Sequence, residues 1–163
     1  MSWRRVLVRT VIAMAVVFGL LQLVPYGWWH SNPPVTQAVV WSDPEAEALA
    51  RAACYDCHSN ETEWPPYSYV APMSWLVRRD VEDGREALNL SELDQDGGKE
   101  LDDSAEQIEE GSMPPQQYEL AHPDARLSGE EKARLIAAFE AVEERDEGDD
   151  GDDDRSGSSS GPG

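Results

Sequence analysis

Apolar residues form one long run near the N-terminus and then several short patterns further along the chain. The run from Val6 to Val24 covers 19 residues and is interrupted by few polar side chains. As a helix it would be about 28 Å long, close to the roughly 30 Å hydrocarbon core of a bilayer. Arginines lie at its start, and Tyr26, Trp28 and Trp29 follow it, as at the two faces of a membrane. Residues 1–29 are therefore predicted to be a signal-anchor transmembrane segment, with a cleaved signal peptide as the alternative.

The shorter patterns have helical spacing and predict an all-α domain over residues 42–142. The first helix is predicted to begin with a capping box of Ser42 and Glu45. A second capping box, Ser128 with Glu131, opens the last helix. No stretch alternates between apolar and polar residues, so no strand is predicted. The helices after the first are predicted over residues 73–90, 99–110 and 128–144.

Polar segments flank this domain on both sides. Residues 30–41 contain Pro33 and Pro34 and are predicted to be an extended spacer. Residues 143–163 are acidic and then rich in Ser and Gly, which predicts a disordered tail. The chain has 33 acidic and 13 basic residues, for a formal net charge of −20. Because nucleic-acid binding needs a basic surface, nucleic acid is not expected as a partner.

Both cysteines lie in one pentapeptide, Cys54-Tyr55-Asp56-Cys57-His58. Cys-x-x-Cys-His is the attachment pattern of c-type haem, in which two thioether bonds hold the macrocycle and the histidine binds the iron. Four short helices in about 110 residues bury little surface, so a large apolar ring would also complete the core. The aromatic side chains expected to pack around that ring are Trp64, Tyr67, Tyr69 and Trp75.

Two other chemistries of a cysteine pair fit the sequence less well. A structural zinc site would need further ligands, and only His30 and His122 remain. A redox-active dithiol usually lies at a strand-to-helix turn in an α/β pattern, which this sequence lacks. The sequence therefore predicts one covalently attached haem c per chain, with His58 as an iron ligand.

The second axial ligand decides between electron transfer and ligand binding. Met113 is the first candidate, because Pro114 and Pro115 stiffen the loop that would hold its weak thioether. Met73 and His122 are the alternatives, together with an open site. The imidazole nitrogen of His58 that does not face the iron is expected to donate to a backbone carbonyl, with Pro65 or Pro66 as the predicted acceptor.

Several short motifs lie between about residues 30 and 139, namely His30-Ser31-Asn32-Pro33-Pro34-Val35, residues 54–62, Trp64-Pro65, Ala71-Pro72, Ser74-Trp75-Leu76-Val77, Glu109-Glu110-Gly111, Met113-Pro114-Pro115 and His122-Pro123. Together they resemble the bacterial haem-binding domain family of single-haem, c-type-cytochrome-like proteins. The resemblance implies thioether haem on Cys54 and Cys57 with His58 on the iron, and it favours Met113 over Met73.

The expected protein is therefore a small cytochrome-c-like electron carrier and not an enzyme. We expect it on the extracytoplasmic side of the inner membrane, tethered by its N-terminal helix and exchanging single electrons with redox proteins at that membrane. The alternative is a haem-based sensor or small-ligand binder whose sixth ligand is absent or displaceable. A peroxidase-like activity would need a distal acid–base group, for which His122 is the candidate.

Overall fold

A computed structural model of the chain describes residues 3–93 and 97–153, with side chains described for residues 3–93 and 101–142. The described part is helical, and its only strand-like feature is an isolated parallel bridge between Gln37 and Glu92. This agrees with the predicted all-α class. The α-helices are α1 (Trp3–Leu21), α2 (Pro44–Ala53), α3 (Tyr55–His58), α4 (Met73–Ala87), α5 (Gly97–Glu110), α6 (Gln116–Ala121) and α7 (Gly129–Asp153), with 3-10 turns at Pro66–Tyr69 and Pro123–Ala125.

The core lies where α5 and α2 pack against α7. Leu135 and Phe139 on α7 and Leu101 on α5 are completely buried there. On the other side of the core, α3 and the first 3-10 turn pack against α4, which places the Cys-x-x-Cys-His motif at the centre of the domain.

One of the two predicted capping boxes is present. Ser128 and Glu131 exchange hydrogen bonds at the start of α7, as predicted. At α2 the cap is Asp43 and not Ser42, since an Asp43 carboxylate oxygen accepts from the backbone amide of Glu45 at 2.9 Å. A carboxylate one residue before Pro44 satisfies the free amides of the first turn and also suits the positive end of the helix dipole.

The predicted spacer is extended but does not stand clear of the domain. The backbone amides of Gln37 and Val39 donate to the carbonyls of Ser91 and Leu90, both at 3.0 Å, and Val39 is buried. A proline pair favours an extended chain but does not specify whether that chain pairs with another segment. Here the carbonyls after α4 supply the partners, so residues 30–41 form part of the domain surface.

The predicted transmembrane helix over residues 1–29 needs correction. No helix in the described part of the chain is long and apolar enough to cross a membrane. Helix α1 ends at Leu21, and three of its 19 residues are arginines. Its uncharged part, Thr10 to Leu21, is therefore only about 18 Å long.

The predicted disordered tail is also corrected in part. Helix α7 continues through the acidic segment from residue 143 and ends at Asp153. Charge repulsion was expected to unfold this segment, but the helix is already started by the buried face that ends at Val142. The remainder of the predicted tail, residues 154–163, lies outside the described residues.

Gly84 allows a close approach between the Cys-x-x-Cys-His motif and α4. A Cβ at this position would lie 2.6 Å from the backbone carbonyl oxygen of Cys57. Changing Gly84 to alanine should therefore destabilise the fold by about 1–3 kcal/mol despite the better helix propensity of alanine. Thermal unfolding followed by circular dichroism measures the effect.

Gly129 provides the matched control for that substitution. A Cβ there meets no atom within 4 Å, so Gly129→Ala should leave stability unchanged or raise it by up to about 1 kcal/mol. Equal effects of the two substitutions would contradict the proposed close contact at Gly84.

Candidate haem site

A cavity of about 600 Å³ lies between α3, α4, α5 and the loop that leads into α6. Its wall is mostly apolar and contains Cys54, Cys57 and His58 together with Met113. The structure thus brings all four predicted site residues to one cavity, although Met113 is 55 positions from His58 in the sequence. Other apolar side chains on the wall include Leu76, Val77, Val81, Ile108, Leu127 and Phe139.

The two cysteines are one helical turn apart at the junction of α2 and α3. The amide of His58 donates to the carbonyl of Cys54 at 2.8 Å, which holds the motif as a single turn. Neither cysteine is in a disulfide. Burial raises the pKa of both Cys54 and Cys57 to about 12. Redox-active cysteines have lowered pKa values, so this environment argues against a reactive dithiol.

His58 has one ring nitrogen committed to the protein. Its Nδ1 lies 3.2 Å from the carbonyl oxygen of Leu88, and because a carbonyl only accepts, Nδ1 carries the proton. Nε2 is then left with its lone pair, as an iron ligand requires. Burial lowers the pKa of His58, which favours this neutral form.

The prediction that the second ring nitrogen of His58 donates to a backbone carbonyl is confirmed, but the predicted acceptor is wrong. The acceptor is Leu88, just after α4, and neither Pro65 nor Pro66. The carbonyl of Pro65 instead accepts from the backbone amide and hydroxyl of Ser68. Leu88 is 30 residues from His58, and no local pattern in the sequence links the two.

Met113 lies on the loop after α5, and its amide donates to the carbonyl of Gln107 at 3.2 Å. It is 36% exposed, and Met73 on α4 also lines the cavity. Both thioethers can therefore reach the cavity, whereas His30 does not line it. The His30 ring instead stacks on Tyr69 with 4.0 Å between ring centroids.

His122 lines the cavity but has both ring nitrogens occupied. Its Nδ1 donates to the carbonyl of Tyr118, and its Nε2 accepts from the hydroxyl of Tyr67, each at 3.3 Å. A histidine whose lone pair accepts a hydrogen bond is less available as a ligand. The geometry therefore favours a methionine as the second axial ligand.

A hydrogen bond links the haem-attachment motif to α6. The Tyr118 hydroxyl donates to a carboxylate oxygen of Asp56 at 2.8 Å, and the other oxygen accepts from the amide of Glu63 at 2.9 Å. Burial and the Asp56 charge raise the pKa of Tyr118, so the phenol keeps its proton. Since Tyr118 follows the Met113 loop, this bond fixes the loop relative to the motif. Asp56 lies within the Cys-x-x-Cys-His motif, but nothing in the sequence pairs it with Tyr118.

The aromatic prediction was correct for only one of four residues. Tyr67 lines the cavity, whereas Trp64, Tyr69 and Trp75 do not. Trp64 instead packs edge-on against His30 with 4.5 Å between centroids. His30, at the start of the extended segment, therefore contacts two of the aromatic side chains that were expected around the haem, Trp64 and Tyr69.

Several acidic side chains line the cavity, and no lysine or arginine does so among the described residues. One of them is Asp80, whose pKa is raised by burial and by the neighbouring Asp83. The cavity therefore combines an apolar wall, one available imidazole nitrogen, two thioethers and a negative electrostatic environment.

These features fit a haem. The cavity is apolar, both thiols lie on its wall, and Gly84 leaves room for the motif where a Cβ would collide with Cys57. Imidazole nitrogen and thioether sulfur are both known axial ligands of haem iron. The fold and site thus define a small helical haem-binding protein.

Comparison with known families agrees with that class. The model of the haem-binding domain family matches residues 16–141, and the chain therefore belongs to this family. The resemblance noted in the sequence is thereby confirmed. No solved structure matches the chain.

One curated relative is the cytochrome c peroxidase Ccp of Escherichia coli (strain K12). It is 28% identical over 142 residues, which cover 78% of this chain and 30% of the relative. The chain therefore spans less than a third of the length of this relative.

Changing Tyr118 to phenylalanine removes one partner of the Asp56 carboxylate. Because hydrogen bonds to charged groups contribute more than neutral ones, the free energy of unfolding should fall by about 1–3 kcal/mol. Tyr67→Phe is the matched control, since the Tyr67 hydroxyl meets the imidazole of His122 at 3.3 Å and not a carboxylate, and its loss should lower the free energy of unfolding by less. Denaturant unfolding of both variants compares them, and an equal or larger loss in Tyr67→Phe would refute the assignment.

Proposed function

We propose that the chain is a monohaem, c-type-cytochrome-like electron carrier that binds its haem covalently through Cys54 and Cys57. The observation that carries this proposal is the convergence of both thiols, His58 and Met113 on one apolar cavity. Each thiol would add across a vinyl group of the haem, with the sulfur and the hydrogen going to the two vinyl carbons. This addition needs no oxidant or reductant.

His58 and Met113 are the proposed axial ligands. When bound, the haem iron supplies a one-electron redox couple, and methionine ligation raises its potential relative to histidine ligation. The residues of this chain hold the site in place: the Leu88 carbonyl orients His58, and the Asp56–Tyr118 hydrogen bond positions the loop of Met113. The apolar wall limits the access of water.

We also propose that α1 attaches the domain to the inner membrane on its extracytoplasmic side. None of the residues of α1 is buried, and its apolar side chains are left without a core to join. Attachment would confine encounters to redox partner proteins at the same membrane and raise their effective concentration. An electron carrier of this kind catalyses no reaction of its own.

A second candidate function is ligand binding or peroxidase-like turnover. Met113 is partly exposed, so another ligand could displace its sulfur from the iron. His122 and Tyr67 line the same cavity. The similarity to a cytochrome c peroxidase is in keeping with this possibility. Readily bound carbon monoxide would favour this function, and steady consumption of peroxide would favour the peroxidase form of it.

The first experiment is an absorption spectrum of the chain produced with haem-attachment machinery. We expect haem that stays on the polypeptide after denaturation and extraction, and a low-spin spectrum that carbon monoxide does not change. Haem that is extracted from the denatured chain would contradict covalent attachment. Replacing Cys54 or Cys57 by alanine should remove one of the two bonds and shift the reduced absorption band.

Met113→Ala should give a haem that binds carbon monoxide, because it removes the proposed sixth ligand. Met73→Ala is the matched control, since Met73 lines the same cavity and is exposed to a similar extent. It should keep the parent spectrum. The reverse pattern would assign Met73 as the ligand, and no change in either variant would exclude both methionines.

Asp80→Asn should raise the midpoint potential of the haem. A carboxylate near the iron stabilises the oxidised form, which carries the additional positive charge, so removing the carboxylate favours reduction. Glu86→Gln is the control, because Glu86 is on the same helix but does not line the cavity. Redox titration followed by absorbance measures both variants, and a lower potential in Asp80→Asn would contradict the electrostatic argument.

A further inference from the structure

The segment that follows α1 is attached to the haem domain by specific contacts. The Gln22 side chain exchanges two hydrogen bonds with the backbone of Ala71, at 2.9 and 3.0 Å. Gly27 has a φ of +86°, and a Cβ on it would lie 2.7 Å from the carbonyl oxygen of Ser74. Residues 22–30 are therefore held along residues 69–74 and are not a free linker.

These contacts assemble an exposed apolar surface from two distant parts of the sequence. Trp28, Trp29 and Tyr69 are 54%, 63% and 60% exposed. Contiguous apolar patches of this kind are uncommon on soluble surfaces and usually mark an interface. We call this surface the aromatic patch, and its members are Leu23, Val24, Trp28, Trp29, Tyr69 and Val70.

The distribution of charge indicates what covers the aromatic patch. Residues 1–42 contain three arginines and no acidic residue, whereas all 33 acidic residues lie in residues 43–163. An anionic lipid surface would attract the first region and repel the rest of the molecule. The patch also continues the exposed apolar surface of α1, and tryptophan and tyrosine are the residues enriched at membrane–water interfaces.

The charged residues nearest to the patch are compatible with a lipid surface. Arg78 donates to the carbonyl of Trp29 at 2.8 Å and forms an ion pair with Glu82. Glu82 also accepts a hydrogen bond from the Tyr26 hydroxyl at 3.0 Å. The carboxylate that contacts Tyr26 is therefore paired with a cation.

We propose that the aromatic patch lies against an anionic bilayer and holds the haem domain in a fixed orientation on the membrane. This inference depends on the membrane attachment proposed above and adds to it a lipid contact made by the haem domain itself. Tyr69 and Val70 are the decisive members, because they belong to the domain and follow the haem-attachment motif in the sequence.

The test is lipid quenching of a tryptophan introduced at position 69 in the full chain. Trp3, Trp28 and Trp29 are first replaced by phenylalanine, and Tyr69→Trp is then added. The vesicles contain phosphatidylethanolamine and phosphatidylglycerol, with or without brominated phosphatidylcholine. The ratio of the emission from the two kinds of vesicle cancels quenching by bound haem. Val40→Trp in the same background is the control, since Val40 is 71% exposed and lies beside Trp41, which packs on Phe139 of α7.

We expect brominated lipid to reduce the emission of the Tyr69→Trp chain and to leave that of the Val40→Trp chain at the background value. If the chain floats with vesicles but Tyr69→Trp is not quenched, membrane attachment stands and the lipid contact of the patch is overturned. Equal quenching at both positions would overturn the fixed orientation. A chain that does not float with vesicles would overturn the attachment itself and the inference with it.

Discussion

The domain is built around an apolar cavity that its own side chains do not fill. Leu135 and Phe139 of α7 have part of their surface on the cavity wall and the remainder in the core, so the same residues serve both. A cavity of about 600 Å³ in so small a domain leaves much apolar surface without contacts. Stability and haem binding are therefore coupled, because a ligand that binds only the folded state stabilises it by mass action.

Local features of the site were predictable from the sequence, and long-range ones were not. The Cys54–His58 motif is complete within five residues, and its spacing alone indicates that two thiols and an imidazole can bind the same haem. The partners that position it are the Leu88 carbonyl and Tyr118, which lie 30 and 62 residues from His58 and Asp56. A backbone carbonyl carries no sequence signal, and a tyrosine pairs with a carboxylate only after the fold brings them together.

The same distinction explains the errors made at the two ends of the chain. Composition predicted an extended chain over residues 30–41 and a disordered acidic segment, but composition does not specify which neighbouring segment or helix each of them joins. Val39 is buried because the carbonyls after α4 are available to pair with its strand-like backbone. At the N-terminus, the apolar character of residues 6–24 predicted a membrane-spanning helix. In the structure, the arginines at its start and the end of α1 at Leu21 limit the length of the uncharged part of the helix.

The separation of charge along the chain links the fold to the proposed role. An electron carrier must expose its haem to partners and still remain soluble and correctly oriented. Acidic residues line the cavity and continue through α7, while the region before Asp43 has none. In the proposed arrangement, repulsion between like charges would turn most of the acidic domain away from anionic lipid, and the Gln22–Ala71 hydrogen bonds would transmit that orientation to α4. Because α4 forms one wall of the cavity, the orientation of the N-terminal segment also sets the direction in which the cavity faces.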